Sequence, residues 1–421
     1  MILGFERYGE FLTDEGRSIA KVFREFVDKE IMPYRLEIDE DKDRKRIHKI
    51  SQGLVGLGLQ KSYLPKEIGG SEIRDNVLLM VICEELGRGD LGLATELFIS
   101  AAWVHQPAIW SNNKVVLEKF CRPYTGNEVH CGCVALTEPH GGCNIESHDA
   151  RGRAIRTIAK LEGDEWVING AKRWPSGASI SDVYCTICTT DPKLGTDGVA
   201  LIYVPGDAPG LTFGKWENKC GMRYSDINAD IFYDNVRVPK EYRAGEPGSA
   251  PGQDHHSFVS LCTGGRMYSA AAALGPAQEC LDIIINYTGT RYYAGKKVRE
   301  HSLQACLIGD LIISLESARA FYLTVAQELN HPEIYGDMAS NRMLSRATAA
   351  KCYSADVAFR ICHTAMDFMC SYGYVKETHV EKYMRDVKIA NLWVAGPHLG
   401  RIDIARGYYP TLPYETVEPF E

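Results

Sequence analysis

The sequence predicts an α+β protein with a helical N-terminal domain (residues 1–129), a middle β domain (130–243) and a helical C-terminal domain (244–421). Three observations support this order. The chain has 421 residues, more than one ordinary domain holds. Apolar residues recur with helical spacing towards both ends and with a period of two in the middle. Because helices and strands come in separate runs, they favour separate α and β domains over an alternating α/β fold.

Each block carries its own local signals. In the first block, Thr13 precedes an acidic amphipathic segment and is a typical helix cap, and a second helix covers the apolar run that ends at Gly87 and Gly89. In the middle block, residues 156–170 predict a β-hairpin that turns at Glu162-Gly163-Asp164. A segment rich in Gly, Pro and Ser (244–253) is the expected linker to the long helices that follow.

Composition narrows the class of protein. The net charge of -8 argues against nucleic acid or an anionic membrane as a partner. No apolar run reaches the length of about 18 residues that a membrane span needs, and the first residues are too acidic for a signal peptide. We therefore expect a cytoplasmic protein. Its 14 cysteines are expected to be reduced, buried thiols.

One pair of cysteines has the spacing of a metal or redox motif. Cys185 and Cys188 form a CxxC, but they lie in an alternating apolar run, and no second cysteine or histidine pair follows. This context favours a β-strand over a metal or redox centre. No metal site is predicted.

Two motifs flank the start of the β block. Residues 137–144 read TEPHGGCN and residues 166–177 read WVINGAKRWPSG. Taken alone, the first indicates a Gly-rich turn and the second a hairpin strand. Taken together, they resemble the signatures TEPGAGSD and W-x-I-x-NGxKxWI(S/T) of acyl-CoA dehydrogenases. The resemblance continues through residues 291–296 (RYYAGK) and 381–386 (EKYMRD), and it covers nearly the whole chain in matching order.

This resemblance implies a fold and a chemistry. The middle domain would be a β-barrel and the C-terminal domain a four-helix bundle. The cofactor would be FAD and the substrate a small-molecule acyl-CoA or related thioester, and an electron-transfer flavoprotein becomes a candidate partner. The C-terminal helices would build a homo-oligomer, either a dimer or a tetramer formed as a dimer of dimers.

The resemblance also implies which residues hold the flavin. The ring needs a flat aromatic wall, strand backbone and a nearby hydroxyl. Trp174 matches the wall and Ser176 the hydroxyl. The remaining contacts from the β block would be made by Val134, Leu136, Thr137, Gly142 and Cys143.

A second group of matched residues would contact the cofactor from the C-terminal helices. The FAD pyrophosphate needs positive charge and N–H donors, which in the family come from a neighbouring subunit at the positions of Arg291 and Gln304. Several other positions depart from the family pattern and weaken or rebuild this part of the site. The departing positions among the expected contacts are Cys143, Asp367, Ser371, Gly396 and His398.

The largest departure concerns the catalytic base. Val394 stands where the family carries a glutamate, and a valine side chain cannot accept a proton. Some family members place the base one residue before the arginine that matches Arg266, but that position is Gly265. Both known base positions are therefore empty. The candidates for a replacement are Glu96, Tyr372, His398, His255 and His256.

Several functions stay open at this point. The expected reaction acts at the Cα–Cβ bond of a short or polar acyl-CoA, by dehydrogenation with another base or by enoyl-CoA reduction. Elimination at Cβ, as in the sulfinopropionyl-CoA desulfinases that also lack the glutamate, is an alternative. A non-catalytic subunit of a hetero-oligomer and an α-β-α protein of some other role are further alternatives. Substrate contacts are expected from Cys143, Glu96, Phe98, Arg266 and Val394, with Trp103 also near the acyl end.

Overall fold

The computed structural model describes residues 5–147, 150–245 and 252–409. Most of the predicted linker therefore lies outside the described residues. The same holds for the side chains of Phe5, Cys143 and Asn144. Helices lead, strands follow and helices end the chain, so the α+β class is confirmed.

The N-terminal part is a layer of helices. Its first long helix begins after Thr13, whose Oγ1 accepts the Gly16 N–H at 3.1 Å, and the fourth helix is capped in the same way by Asp75 on the Val77 N–H at 2.9 Å. The helices are α1 Asp14–Phe26, α2 Arg35–Glu40, α3 Lys45–Gly56, α4 Asn76–Gly89, α5 Leu91–Leu93, α6 Ser100–Ser111 and α7 Lys114–Val116. A π-helical segment, Ala94–Ile99, joins α5 to α6.

The middle part is one seven-stranded sheet. The strands are β1 Gly132–Ala135, β2 Ile158–Glu162, β3 Glu165–Lys172, β4 Val183–Thr189, β5 Val199–Pro205, β6 Leu211–Phe213 and β7 Ile231–Pro239. The short helix α8, Cys143–Glu146, follows β1. The strand order is β1-β4-β2-β3-β7-β6, with β5 paired to β4.

Two of the local predictions from the sequence concern this sheet. The predicted hairpin is confirmed as β2–β3, and its turn uses Gly163 at φ +64°. Cys185 and Cys188 both lie in β4 and are buried in the two different hydrophobic clusters that flank the sheet. Side chains three positions apart on a strand point to opposite faces of the sheet, which is why the two thiols are separated. The two cysteines of the CxxC are therefore ordinary residues of a β-strand.

The C-terminal part is a bundle of long helices. They are α9 Gln253–Thr290, α10 Ser302–Leu329, α11 Pro332–Tyr335, α12 Asn341–Met369, α13 Val380–Leu392 and α14 Gly396–Arg406, with a small hairpin of β8 Tyr292–Tyr293 and β9 Lys296–Lys297 after α9. Helix α9 is central, because it packs on α4 and on α12. A Cβ atom on Gly87 would lie 2.3 Å from the Ala272 oxygen, so glycine permits the close crossing of α4 and α9.

A buried charged group ties the three parts together. The Lys382 ammonium lies 2.7 Å from Asp90 and 2.5 Å from Asp386. Asp386 in turn accepts the Met222 N–H at 2.7 Å. One lysine thus connects the junction between α4 and α5, helix α13 and a loop of the middle part. None of the helices among the described residues has the length and apolar character of a membrane span.

Candidate active site

A cavity of about 470 Å³ lies where the three parts meet. Three walls enclose it: the end of β1 with the segment after β3, the helices α6 and α9, and the end of α13 with the loop that follows. Its size is in the range of small-molecule sites. The three walls carry different chemistry and are described in turn.

The first wall comes from the middle part and presents an aromatic plate. Trp174 is 52% exposed although it lies in the cavity lining, and its backbone is at φ +56°. That unusual conformation is held by two hydrogen bonds: its N–H donates to Ala229 at 3.2 Å, and its oxygen accepts from Asn228 at 2.8 Å. Ser176 lies beside it in the lining.

The strand end beside Trp174 is fixed by a buried ion pair. Lys172 donates to the Leu136 oxygen at 3.0 Å and to Glu138 at 2.8 Å, and Glu138 also accepts the N–H and hydroxyl of Thr157 at 2.9 and 2.7 Å. Although burial raises the pKa of Glu138, Lys172 and these hydrogen bonds outweigh it, and the pKa is lowered. The shape of the first wall is therefore fixed by paired groups.

The second wall of the cavity lies between α6 and α9. It consists of Thr95, Ile99, Ser100, Trp103, Gly265 and Ser269. The Trp103 indole donates to the Leu261 oxygen at 2.6 Å, and a Cβ atom on Gly265 would lie only 2.1 Å from its Cζ2 atom. The indole therefore fills the space above Gly265. No larger side chain at Gly265 fits there without displacing it.

The third wall is the loop after α13. Val394, Ala395 and Gly396 have φ values of +43°, +73° and +58°, three consecutive residues in the left-handed region. A β-branched residue is strained there. The loop is held from behind by Lys351, a buried ammonium that donates to the Trp393 oxygen at 2.8 Å, and burial lowers the pKa of Lys351. Val394 lines the cavity and offers it no proton acceptor.

The predicted replacement bases lie away from this cavity. Glu96 is fully buried and pairs with the Arg44 guanidinium, and it accepts the Ile227 N–H at 3.1 Å. Tyr372 is exposed beside Arg291, whose guanidinium lies 5.3 Å from its ring. None of Glu96, Tyr372 and the exposed His398 is among the described residues that line the cavity. Of the two further histidines, His255 is near Arg151 and His256 pairs with Asp337 at 2.9 Å.

The predicted substrate contacts divide in the same way. Val394 lines the cavity, whereas Phe98 is buried in the core, 5.7 Å from Tyr268 in an edge-to-face contact. Arg266 is fully buried just behind Gly265, 2.8 Å from Asp403 and 3.3 Å from Glu146. The Cys143 side chain lies outside the described residues.

The predicted cofactor contacts also separate into two groups. Val134, Leu136, Thr137, Trp174 and Ser176 come together in the cavity lining, and Gly142 packs behind Thr137. The remaining positions lie on the C-terminal helices away from the described lining, and most are exposed: Arg291, Gln304, Asp367, Ser371, Gly396 and His398.

Charged residues that were not among the predicted contacts also line the cavity. The carboxylates are Glu146, Glu217, Asp226 and Asp386, and the cations are Arg173, Lys219, Arg385 and Lys388. Burial raises the pKa of Asp226. The Lys219 ammonium, 3.5 Å away, offsets only part of this increase. No local signal marks Glu146 in the sequence, although it comes three residues after Cys143 at the end of the first motif.

The first wall fits a flavin ring. A half-exposed indole in a cavity wall is an apolar surface that a flat aromatic ligand would cover. The buried Oδ1 of Asp226 has no hydrogen-bond partner among the described residues, so this side of the cavity also has unused capacity for a polar ligand. Trp174, Ser176, Val134, Leu136 and Thr137 are the residues that would hold the ring.

Known proteins are similar to this chain over most of its length. The family models for the N-terminal, middle and C-terminal domains of acyl-CoA dehydrogenases match residues 13–114, 133–236 and 257–398, respectively. The chain is 30% identical over 400 residues to cyclohex-1-ene-1-carbonyl-CoA dehydrogenase of Geobacter metallireducens. The aligned region makes up 94% of this chain and 98% of that protein.

Two solved structures are similar in the same way. Butyryl-CoA dehydrogenase from Megasphaera elsdenii superposes with a TM-score of 0.82 at 25% identity, over 94% of this chain and 98% of that one. A chain from a study of the electron-transferring flavoprotein of Acidaminococcus fermentans gives a TM-score of 0.84 at 26% identity, over 95% and 99%. The chain therefore belongs to the acyl-CoA dehydrogenase family, and FAD is its cofactor.

Proposed function

We propose that this flavoprotein acts at the Cα–Cβ bond of a short or polar acyl-CoA thioester. The observation that carries the proposal is the cavity itself, whose lining combines the Trp174 wall with a recess between α6 and α9 that suits a small acyl group. Bound FAD would supply the acceptor or donor of a hydride at Cβ. The chain's own residues would position the thioester and exclude water.

The recess supports a short or polar acyl group. Trp103 closes it against Gly265, and three of its lining residues, Thr95, Ser100 and Ser269, carry hydroxyls. A long alkyl chain would need space where the indole lies. The named relatives that act on butyryl-CoA and on a cyclohexene carboxyl thioester fit the same size class.

The loop after α13 would orient the thioester carbonyl. In this family the backbone N–H at the position of Val394 polarises that carbonyl, and a valine leaves this donor in place. The side chain supplies no base, so the reaction needs its proton acceptor from elsewhere.

The relatives favour redox chemistry over elimination, because the named enzymes among them are dehydrogenases. The electron partner would be an electron-transferring flavoprotein. One of the similar chains comes from a structural study of such a protein, which supports this choice. Arg291 and Gln304 lie away from the cavity of their own chain, which supports a homo-oligomer in which a second copy supplies them to the cofactor.

Anaerobic mixing of the purified holoprotein with short acyl- and enoyl-CoAs tests the proposal. Loss of the oxidised-flavin absorbance with a saturated thioester, together with an enoyl product by mass, is the expected result. Product without net flavin reduction would instead establish elimination. A protein that carries no flavin or binds no thioester would refute the proposal.

The alternative of a non-catalytic subunit makes a different prediction. It requires a second, glutamate-bearing homologue in the native complex and no turnover by this chain alone. Mass spectrometry of the complex purified from its own cells separates the two. Turnover by the recombinant chain alone excludes the subunit alternative.

A further inference from the structure

We propose that Glu146 is the proton acceptor for the α-carbon of the bound thioester, the role that Val394 cannot fill. This inference rests on the proposed function and deepens it. It assigns a residue outside both positions at which the family carries its base.

Only four carboxylates belong to the described cavity lining, and three are placed less well. Asp386 is committed to Lys382 and to the Met222 N–H. Asp226 lies on the flavin side of the cavity, between Ser176 and Lys219. The partly exposed Glu217 also belongs to the middle part, where its N–H pairs with Asn228 at 2.9 Å.

Glu146 contacts the helix that carries one of the two empty base positions. Its Oε2 is 3.3 Å from Nη2 of Arg266, the residue that follows Gly265. Arg266 also bonds Thr348 at 2.5 Å on α12, one turn before Lys351, which holds the Trp393 oxygen. Helix α12 therefore contacts both Arg266, the partner of Glu146, and the loop that carries Val394, the other empty position.

The Glu146 carboxylate shares its cationic partner with a second carboxylate. Arg266 divides its charge between Glu146 and Asp403, which is closer at 2.8 Å. The Glu146 side chain is 8% exposed, and a second guanidinium, of Arg151, donates to its backbone oxygen at 2.8 Å. The carboxylate is therefore shielded from bulk water while it borders the cavity, where a general base must lie.

The proposed proton transfer involves only the substrate and the Glu146 side chain. The Cα–H bond breaks, the proton goes to a Glu146 carboxylate oxygen, and the electron pair delocalises onto the thioester oxygen as an enolate. In the reverse direction, protonated Glu146 returns the proton to Cα. This half of the reaction needs no oxidant and can be measured separately.

Deuterium exchange at Cα measures this half alone. The holoenzyme is incubated in D2O with a 3-thiaacyl-CoA, in which sulfur replaces Cβ so that no hydride can leave, and deuteration is followed by mass spectrometry. Glu146→Gln is expected to lower the exchange rate by about 100-fold or more, the usual loss of a general base. Glu328→Gln is the matched control, because Glu328 is also a buried carboxylate paired with an arginine, Arg346 at 2.6 Å, but lies outside the described cavity lining. It is expected to change the exchange rate by less than about threefold.

Two further readouts separate a lost base from a lost fold. Flavin content and the thioester Kd of Glu146→Gln should stay near the wild-type values, since glutamine keeps the volume and can still bond Arg266. The double variant E146Q/V394E should regain exchange. If Glu146→Gln does not fold, Glu146→Asp, which draws the carboxylate back by one methylene, should lose about tenfold.

Several results would overturn the assignment. These are near wild-type exchange in Glu146→Gln or Glu146→Asp, an equal loss in Glu328→Gln, and a wild-type protein that binds the thioester but exchanges no deuterium. Each of these leaves flavin and thioester binding intact. Failure of the proposed function is distinguishable, because the wild-type holoprotein would then not bind the thioester at all.

Discussion

The wall around Trp174 and the loop at Val394 differ in what they offer a ligand. The wall around Trp174 presents an aromatic plate, and its geometry is fixed by the Lys172–Glu138 pair and by hydrogen bonds to the Trp174 backbone. The loop at Val394 runs through three left-handed residues and presents a side chain that accepts no proton. Under the proposed function, cofactor binding and proton transfer are therefore carried by separable parts of this fold.

Four substitutions test this comparison, and the first has the largest expected effect. Gly265→Glu restores a carboxylate to one family position but drives its Cβ into Trp103, 2.1 Å away. We expect it to lower the free energy of unfolding by about 3 kcal/mol. Thermal unfolding of the holoprotein measures the loss.

The double variant Trp103→Gly with Gly265→Glu is the control. It should recover more stability than the two single changes predict by addition, since the clash is removed. Additive effects would mean that the indole does not limit this site.

Lys351→Met removes the buried donor behind the loop. The Trp393 oxygen, 2.8 Å from the ammonium, would lose its partner, at a cost of about 2 kcal/mol. Unfolding by denaturant and the thioester Kd should both report the change. Lys351→Arg keeps a donor and should retain most of the stability; equal losses in both variants would contradict a specific role for this bond.

Trp174→Ala tests the other wall. Loss of the aromatic plate should raise the Kd for FAD by about tenfold, close to 1.4 kcal/mol, with little effect on the fold. Flavin released on dilution, followed by fluorescence, measures it. Trp110, which is also partly exposed but lies outside the described cavity lining, is the matched control, and Trp110→Ala should leave the flavin Kd unchanged.

Val394→Asn is expected to have the smallest effect, and it has the opposite sign. Asparagine tolerates a φ near +43° better than a β-branched residue does, so the variant should gain about 1 kcal/mol of stability. Val375→Asn, at an exposed valine with an ordinary φ of -93°, should gain nothing. A loss of stability in Val394→Asn would mean that packing of the valine outweighs the backbone strain.

Sequence patterns predicted the parts of this molecule that are local. The helix–sheet–helix order, the hairpin at Gly163 and the clustering of Trp174 and Ser176 all follow from short-range spacing or from motifs. The long-range ion pairs do not. Glu96 meets Arg44 across 52 residues and Glu146 meets Arg266 across 120, and no local signal announces such contacts.

Because long-range ion pairs leave no local signal, the sequence made Glu96 a candidate base. An isolated glutamate on an apolar helix resembles a functional residue until its ion-pair partner is known. Conversely, Glu146 resembles an ordinary polar residue in a loop until the fold brings it to Arg266 and the cavity. Long-range packing decides which of the two carboxylates faces the substrate.

The contact between Trp103 and Gly265 also constrains the order in which substitutions can accumulate. A carboxylate at position 265 is disfavoured while the indole is present, whereas shrinking residue 103 first opens the space and at the same time deepens the acyl recess. The two positions therefore form an epistatic pair. Under the proposed function, a descendant of this chain would gain a carboxylate at position 265 more readily after residue 103 had become smaller, and that first change would also enlarge the recess for the acyl group.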